Sequence, residues 1–326
     1  MAKMNMIRAI RQALDEELGG DERVVLLGED IGPRGGVFRA TEGLYEKYGA
    51  SRVVDTPLAE QSIVGVGVGM ALYGMRPVCE IQFADFIHPA FNQIVNEAAK
   101  MCYRSNGQWT APLVIRAPYG GGIGGGLYHS QSVEAFFTVP GLKVVIPSNA
   151  YDAKGLLKSA IRDPNPVLFL EPKRGYRLLK GEVPRTQYTV PIGPAKITRP
   201  GRDLSVFAYG MMHHLVLQTA EKLAGEGVDV EVIDLRTLYP VDKAAILASV
   251  RKTGKALIVY EDNLTGGYGA EIAAILVDEA FDYLDAPVRR LAGPDVPAMP
   301  FSRPMQDWFM PSPEKIANAI RDLARF

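Results

Sequence analysis

Apolar runs of strand length alternate along the first half of the chain with segments whose apolar residues recur at helical spacing. The apolar runs cover residues 23–29, 76–83, 112–118, 142–148 and 166–172. The helical spacing covers residues 60–73, 88–104 and 150–162. Continuous apolar strands that alternate with helices are typical of a parallel sheet covered on both faces. The pattern therefore predicts an α/β fold.

The alternation stops at residues 175–202, which contain four prolines and no clear helical period. We expect an inter-domain connection there, with an edge strand inside it. After it, strands are predicted over 203–210, 229–235, 255–262 and 286–293, with helices over 212–225, 242–252 and from Pro313. Two parallel-sheet domains are predicted, over residues 1–185 and 203–326. The connection between them is residues 186–202, which lie within the proline-rich segment.

Composition and charge exclude several classes of protein. The 36 basic and 37 acidic side chains give a net charge of −1, without a basic run, so a nucleic-acid partner is not expected. Cys79 and Cys102 form no CxxC pair and are predicted to be free thiols of a reducing compartment. The first twenty residues predict an amphipathic helix that lacks the features of a targeting peptide, and no apolar run is long enough to cross a bilayer. We expect a cytoplasmic protein.

Six glycines occupy the seven positions 120–126 of the segment YGGGIGGGLYHSQS, shortly before His129. Gly120, Gly122 and Gly125 satisfy the G-x-G-x-x-G spacing of a dinucleotide-binding loop, but no helix opens at the third glycine and no acid follows at the required distance. Phosphate binding is therefore the less favoured interpretation. We predict that the glycines permit positive φ angles and close approach of the backbone, and that the loop delivers His129 to a pocket.

Two of the four histidines lie at predicted junctions between strands and helices. His88 begins a predicted helix, and His129 follows the glycine loop. Ligand sites of open α/β sheets lie at such junctions, which favours a functional role for both. His213 and His214 are adjacent on a helix and point about 100° apart, so we expect surface or packing roles for them.

A glycine-rich helix is predicted within DTPLAEQSIVGVGVGMALYG, residues 55–74. Gly65, Gly67 and Gly69 each destabilise a helix by roughly 1 kcal/mol relative to alanine, which indicates close packing. Glu60 lies at the start of this helix. Two interpretations of Glu60 stay open: it interacts favourably with the helix dipole, or it is a buried acid that exchanges a proton with a ligand.

Four separated segments resemble one family. They are TPLAEQSIVGVGVGMAL, EIQFADFIHPAFNQIVNEAAK, YHSQSVEAFF and GLKVVIPSNAYDAKGLL, and they are similar to the beta subunit of the thiamine-diphosphate-dependent 2-oxo acid dehydrogenases. The resemblance covers the whole chain, and LYHSQSVEAFF is closer to the branched-chain members than to the pyruvate members. It implies a pyrimidine-binding α/β domain followed by a transketolase-type C-terminal domain.

The resemblance also implies a cofactor site shared between two kinds of chain. The family's alpha subunit holds the diphosphate and its Mg²⁺ through a GDG…N motif, which this chain lacks. This chain is therefore expected to bind the aminopyrimidine half of thiamine diphosphate. The partners implied are an alpha subunit in an α2β2 tetramer and the dihydrolipoyl acyltransferase core of a multienzyme complex.

Individual site residues follow from the same resemblance. Glu60 matches the glutamate that bonds the pyrimidine nitrogen, and His129 matches an active-site histidine that binds the substrate carboxylate or assists acyl transfer. The positions that line the cofactor ring or its acidic surroundings match Glu29, Leu58, Gln82 and Phe86.

Two further sites are implied outside the pyrimidine pocket. A monovalent cation, K⁺ in some members, would be bound at Ala111, Leu113, Val114, Ala160, Asp163 and Asn165; Ala111 and Val114 depart from the glycine and threonine of some relatives. In the family, basic side chains of the acyltransferase contact the C-termini of the beta subunits. Asp295 and the carboxylate of Phe326 are the anions expected to form that contact, although Asp295 alone would be interpreted as a turn residue.

The resemblance predicts oxidative decarboxylation of a branched-chain 2-oxo acid, with acyl transfer to a lipoyl group. The pyruvate-specific member of the family is the nearest alternative. A non-catalytic docking subunit is a second alternative, which the presence of Glu60 and His129 disfavours. Half of a transketolase-like enzyme is a third, without support from the C-terminal segments.

Overall fold

The computed structural model describes residues 1–326, which form two compact units. The first unit consists of residues 1–119 and 136–192, and the second of residues 120–135 and 193–326. The glycine loop therefore belongs to the second unit, although it lies within the first half of the sequence. The predicted connection over 186–202 is divided between the two units.

Eight strands lie in the first unit and six in the second. The first eight are β1 (Ala2–Asn5), β2 (Val24–Glu29), β3 (Val53–Thr56), β4 (Arg76–Glu80), β5 (Val114–Tyr119), β6 (Lys143–Val145), β7 (Val167–Pro172) and β8 (Lys180–Val183). The others are β9 (Lys196–Arg199), β10 (Leu204–Ala208), β11 (Val230–Asp234), β12 (Thr237–Tyr239), β13 (Ala256–Asn263) and β14 (Arg289–Gly293).

Twelve α-helices accompany these strands. They are α1 (Met6–Gly20), α2 (Leu44–Tyr48), α3 (Glu60–Leu72), α4 (Met101–Arg104), α5 (Glu134–Phe137), α6 (Ala150–Arg162), α7 (Gly175–Leu178), α8 (Gly210–Ala224), α9 (Lys243–Thr253), α10 (Gly269–Glu279), α11 (Arg303–Phe309) and α12 (Pro313–Ala324). No helix combines the length and the apolar character needed to cross a membrane.

Six parallel strands of the first unit lie in the order β6-β7-β5-β4-β2-β3. All residues of β5 and β7 are buried, as the continuous apolar runs predict. Helices α1 and α6 pack on each other, and α3 packs on β4. Glu29 in β2 is paired with Thr56 in β3, so the carboxyl ends of these strands lie side by side.

The second unit has a five-stranded sheet in the order β14-β13-β10-β11-β9. Strands β10, β11, β13 and β14 are parallel, and β9 is antiparallel to β11 at one edge. This edge strand lies in the proline-rich segment where a strand was expected. The α/β architecture with two mainly parallel sheets is therefore confirmed.

The N-terminus differs from the predicted single helix. Residues Ala2–Asn5 form β1, which pairs antiparallel with β8. The helix begins only at Met6, because the side chain of Asn5 accepts a hydrogen bond from the backbone N–H of Arg8 (3.1 Å) and caps the first turn. The local apolar spacing contains no sign of a partner strand almost 180 residues away.

The helix predicted over residues 88–104 is wrong as a single helix. A 3-10 turn at His88–Ala90 contains Pro89, which lacks a donor N–H. A π-helical turn follows at Gln93–Ala98, where the N–H of Ala99 bonds the carbonyl of Ile94 (2.9 Å). The short helix α4, Met101–Arg104, comes after it, so the apolar spacing conceals two changes of helical pitch.

The glycines of α3 have different surroundings. A Cβ added at Gly67 would lie 2.5 Å from the sulfur of Cys79 in β4, so this glycine permits the close helix–sheet contact that was predicted. A Cβ at Gly69 would meet nothing within 4 Å. Val66 and Tyr73 are also largely exposed, and α3 therefore presents an open face of small and apolar side chains.

Candidate functional site

Acidic side chains cluster where β2 and β3 end. Glu29 is the last residue of β2 and lies opposite Thr56, while Asp30 and Asp55 adjoin this pair. The pKa of Glu29 is raised, first by partial burial and then by the negative charges of Asp30, Glu60 and Asp55. Four carboxyl groups therefore share this edge of the sheet.

Glu60 is the first residue of α3, as predicted, and follows an N-cap position that supplies no side-chain hydrogen bond. Its half-buried side chain makes no hydrogen bond or ion pair within the chain. The hydroxyl of Thr56, four residues earlier, is buried and has no hydrogen-bond partner either. Most buried polar groups in proteins are paired. These two groups therefore indicate a place for a polar ligand.

The other residues predicted for the cofactor ring are apolar or amide side chains. Phe86 ends the 3-10 turn Ala84–Phe86, and its ring packs edge-on against that of Phe83 (5.8 Å between centroids). Leu58, two residues before Glu60, leaves 70% of its surface exposed. The amide of Gln82 donates to Asp30 (3.5 Å). Leu58 is thus an uncovered apolar group two residues from Glu60 in the sequence.

The glycine loop packs closely within the second unit. The N–H of Gly121 donates to a carboxylate oxygen of Glu261 (2.9 Å), and a Cβ at Gly120 would lie 2.6 Å from the same oxygen. Gly126 has a φ of +63°, and a Cβ there would lie 2.5 Å from the ring of Phe301. The predicted positive φ angles and close backbone approach are therefore confirmed, and both features favour glycine. His129, half-buried, follows directly on the 3-10 turn Gly126–Tyr128.

A buried acid that the sequence did not single out lies five residues after His129. Glu134 is fully buried, and the hydroxyl of Tyr209 donates to its Oε1 (2.8 Å). Its Oε2 has no hydrogen-bond partner. Burial, followed by the negative charge of Asp262, raises the pKa of Glu134 to about 8. Burial also raises the pKa of Asp262 to about 6.

A buried ionic network joins three strands of the first sheet. Arg116 in β5 donates to Glu80 in β4 (2.6 Å) and, through two nitrogens, to Glu171 in β7 (2.6 and 2.9 Å). The hydroxyl of Tyr176 also donates to Glu171. Burial raises the pKa of Glu80, and Arg116 opposes that rise. The sequence shows Glu80, Arg116 and Glu171 only as charges within apolar runs.

Comparison with known proteins identifies the family. Residues 2–178 match "Transketolase, pyrimidine binding domain", and residues 193–316 match "Transketolase, C-terminal domain". The chain is 57% identical over its whole length to the full length of the 2-oxoisovalerate dehydrogenase subunit beta of Bacillus subtilis. The chain belongs to the beta subunits of the 2-oxo acid dehydrogenases.

Other relatives of these beta subunits support the assignment. The mitochondrial 2-oxoisovalerate dehydrogenase subunit beta 2 of Arabidopsis thaliana is 50% identical over 99% of this chain and 90% of its own length. The pyruvate dehydrogenase E1 component subunit beta of Acholeplasma laidlawii is 48% identical over 100% of this chain and 99% of its own length. A solved structure described as a split-gene transketolase, an inactive beta4 tetramer, covers 99% of this chain and 98% of its own with a TM-score of 0.79. At 23% identity that structure supports the fold alone.

The residues of the first unit fit the pyrimidine half of thiamine diphosphate, the cofactor of this family. The ring of that cofactor needs an acid at one nitrogen and apolar contacts on its faces. Glu60 offers a carboxylate without a partner, Thr56 a buried hydroxyl without a partner, and Leu58 an exposed apolar side chain. Glu29 and Gln82 both interact with Asp30 at the same edge of the sheet: its charge raises the pKa of Glu29, and it accepts a hydrogen bond from Gln82. His129 lies in the second unit.

The six residues predicted to bind a monovalent cation already have contacts within the chain, and their cation-binding role stays a prediction. Lys143 forms an ion pair with Oδ2 of Asp163, and the N–H of Asn165 bonds Oδ1 (2.9 Å). The guanidinium of Arg76 donates to the carbonyl of Asp163 (3.2 Å). One protein cation and one backbone donor therefore contact the one carboxylate of the set, and its carbonyl accepts from Arg76. The backbone N–H of Leu113 donates to the Ala111 carbonyl (2.8 Å), and that of Asp163 donates to the Ala160 carbonyl (3.2 Å). Val114 is buried within β5.

The C-terminal residues predicted for docking lie on the surface. Asp295 accepts hydrogen bonds from the N–H (2.8 Å) and hydroxyl (2.7 Å) of Thr265, which lower its pKa. Phe326 is 63% exposed beside a cavity of about 330 Å³ that Arg289 and Arg290 also line. Asp295 thus has the turn-stabilising role expected of it alone, and its docking role stays a prediction.

The remaining histidines and the cysteines complete the set of candidate residues. His213 is buried, and its Nε2 lies 2.9 Å from the Thr198 hydroxyl. This is the packing role expected of it. His88 is exposed, with its ring edge-on to Phe136. Cys79 and Cys102 are free, as expected.

Proposed function

We propose that this chain is the beta subunit of a branched-chain 2-oxo acid dehydrogenase. With an alpha subunit it would decarboxylate a branched-chain 2-oxo acid oxidatively and pass the acyl group to a lipoyl group of an acyltransferase. The observation that carries the proposal is the half-buried carboxylate of Glu60, without a partner in the chain, inside a cluster of acids. The greater identity to 2-oxoisovalerate dehydrogenase than to pyruvate dehydrogenase supports the substrate class.

Glu60 is proposed to hold a proton at a ring nitrogen of the cofactor. Thiamine diphosphate, when bound, supplies a nucleophilic carbon and an electron sink for decarboxylation. Glu60 lies within reach of the other acids, because its negative charge, with those of Asp30 and Asp55, contributes to the raised pKa of Glu29. Leu58 and Phe86 are proposed to pack against the ring and exclude water from the bond to Glu60.

His129 is proposed to act on the substrate rather than on the cofactor. An imidazole donates a hydrogen bond to a carboxylate or moves a proton during acyl transfer. The close packing of Gly120 and Gly126 supports this role, because it restricts the segment that leads to the histidine.

The alpha subunit is proposed to cover the open face of α3 and to supply the diphosphate and Mg²⁺ site. Val66 and Tyr73 are 54% and 94% exposed, and Gly69 lies open beside them. Exposed apolar side chains grouped on one helix mark interaction sites. The acyltransferase is proposed to dock at Asp295 and the carboxylate of Phe326.

A reconstituted tetramer tests the proposal. The chain is co-expressed with an alpha subunit that carries the GDG…N motif, and kcat/KM is measured for 2-oxoisovalerate and pyruvate. We expect 2-oxoisovalerate to be preferred, and the isolated beta subunit to show no turnover. A preference for pyruvate would favour the second candidate, the pyruvate-specific member, which the 48% identity to that subunit also supports. Turnover by the isolated chain would contradict the shared site.

A further inference from the structure

Four arginines surround one cavity of the first unit. The cavity has a volume of about 490 Å³, and its wall includes Arg8, Arg11, Arg39, Arg177, Glu42 and Phe38. We call it the arginine pocket. None of the residues proposed to bind thiamine diphosphate lines it.

Three separate segments bring these arginines together. Arg8 and Arg11 are three residues apart on α1 and therefore share a face of that helix. Arg39 belongs to the loop between β2 and α2, and Arg177 to the short helix α7 after β7. The cluster is thus a product of the fold rather than of a basic run in the sequence.

The positive charge of the pocket is largely uncompensated. Glu42 is its one carboxylate, and that carboxylate lies 3.9 Å from Arg39. Arg11 donates to the backbone carbonyl of Glu42 (2.6 Å), which carries no full charge. The guanidinium groups of Arg8 and Arg177 make no hydrogen bond or ion pair. Four cations therefore face one anion in a chain whose total charge is −1.

We propose that the arginine pocket binds a small organic phosphate. Guanidinium groups present paired N–H donors that match two oxygens of a phosphate, and several charges of one sign around a cavity concentrate such anions. The free guanidinium groups of Arg8 and Arg177 supply the donors, and Arg11 and Arg39 add charge. A volume of about 490 Å³ suits a small molecule, and Phe38 gives its organic part an apolar wall.

Titration calorimetry on the full-length chain with inorganic pyrophosphate as the probe tests this proposal. We expect saturable binding that weakens at least about tenfold in the double variant Arg8→Gln/Arg177→Gln, because two charge-assisted contacts are lost. Both side chains are exposed and without partners, so the variant should fold. The control Arg185→Gln/Arg202→Gln removes the same charge from exposed positions outside the pocket and should change the dissociation constant less than twofold.

Several results would overturn the proposal. Equal weakening in both double variants would show non-specific attraction by net charge. Absence of saturable binding in the wild-type chain would show that the pocket binds no phosphate, and equal affinity for acetate would show that it does not select phosphate. Loss of pyrophosphate binding on assembly with the alpha subunit would assign the arginines to a subunit interface. The proposal would be supported if the assembled tetramer still binds pyrophosphate and the Arg8→Gln/Arg177→Gln tetramer does not.

Discussion

Replacing Glu134 by glutamine separates the charge of the buried acid from its shape. The side chain of Glu134 is fully buried, and its Oε1 accepts a hydrogen bond from Tyr209. Glutamine keeps the volume and the acceptor but cannot ionise. The variant therefore removes the desolvation of a carboxylate and leaves the packing nearly unchanged.

The expected effect depends on pH with a definite sign. Burial raises the pKa of Glu134 from the ordinary 4.5 to about 8, so the folded chain binds this proton more tightly than the unfolded chain. The resulting stability is complete below pH 4.5 and is lost as the pH rises through about 8. Because each pKa unit corresponds to about 1.4 kcal/mol, the free energy of unfolding falls by about 5 kcal/mol over that interval. Glu134→Gln should lack this loss.

Urea unfolding of the isolated chain between pH 5 and 9 measures the difference. The variant should match the wild type near pH 5 and exceed it by about 5 kcal/mol at pH 9. Glu22→Gln is the control, because Glu22 is exposed and should leave the pH dependence unchanged. Parallel pH curves for wild type and Glu134→Gln would refute the reasoning.

Three further changes test other parts of the molecule. His129→Ala should slow acyl transfer to lipoamide more than decarboxylation measured with an artificial electron acceptor; unchanged rates in both assays would return His129 to a structural role. Gly67→Ala should lower the free energy of unfolding by about 1–3 kcal/mol through overpacking against β4, whereas Gly69→Ala, which meets nothing, should raise it by up to about 1 kcal/mol; similar effects of both would contradict the packing argument. Asp295→Ala combined with deletion of Phe326 should weaken calorimetric binding of the acyltransferase's subunit-binding domain without loss of basal decarboxylation, and an unchanged dissociation constant would exclude this docking site.

Local pattern predicted the elements that local forces determine. The buried strands β5 and β7 follow from continuous apolar runs, and α3 begins at Glu60 as its apolar spacing indicates. The glycines at 120–126 signalled close backbone approach, which the contact between Gly121 and Glu261 confirms. In each case the signal lay in a few adjacent residues, although the partner of Gly121 is 140 residues away.

Features that depend on distant residues escaped the sequence. Strand β1 exists because β8 pairs with it, and nothing in its four residues indicates that partner. Arg116 is neutralised by acids 36 and 55 residues away, which only the strand order brings beside it. Glu134 lies in a segment noted for family resemblance, but its hydrogen-bond partner Tyr209 follows 75 residues later.

The central claim is that the carboxylate of Glu60 holds the proton on which catalysis depends, and one substitution tests it directly. Glu60→Gln keeps the size of the side chain and removes its acid function. In the reconstituted tetramer, turnover of 2-oxoisovalerate should fall by at least about 10²-fold, the lower range for general acid–base groups, while gel filtration shows an unchanged tetramer. Glu22→Gln, an exposed glutamate of the same chain, should retain full turnover. An assembled Glu60→Gln tetramer with turnover within about twofold of the wild type would contradict the claim, because general acid–base groups contribute at least about 10²-fold.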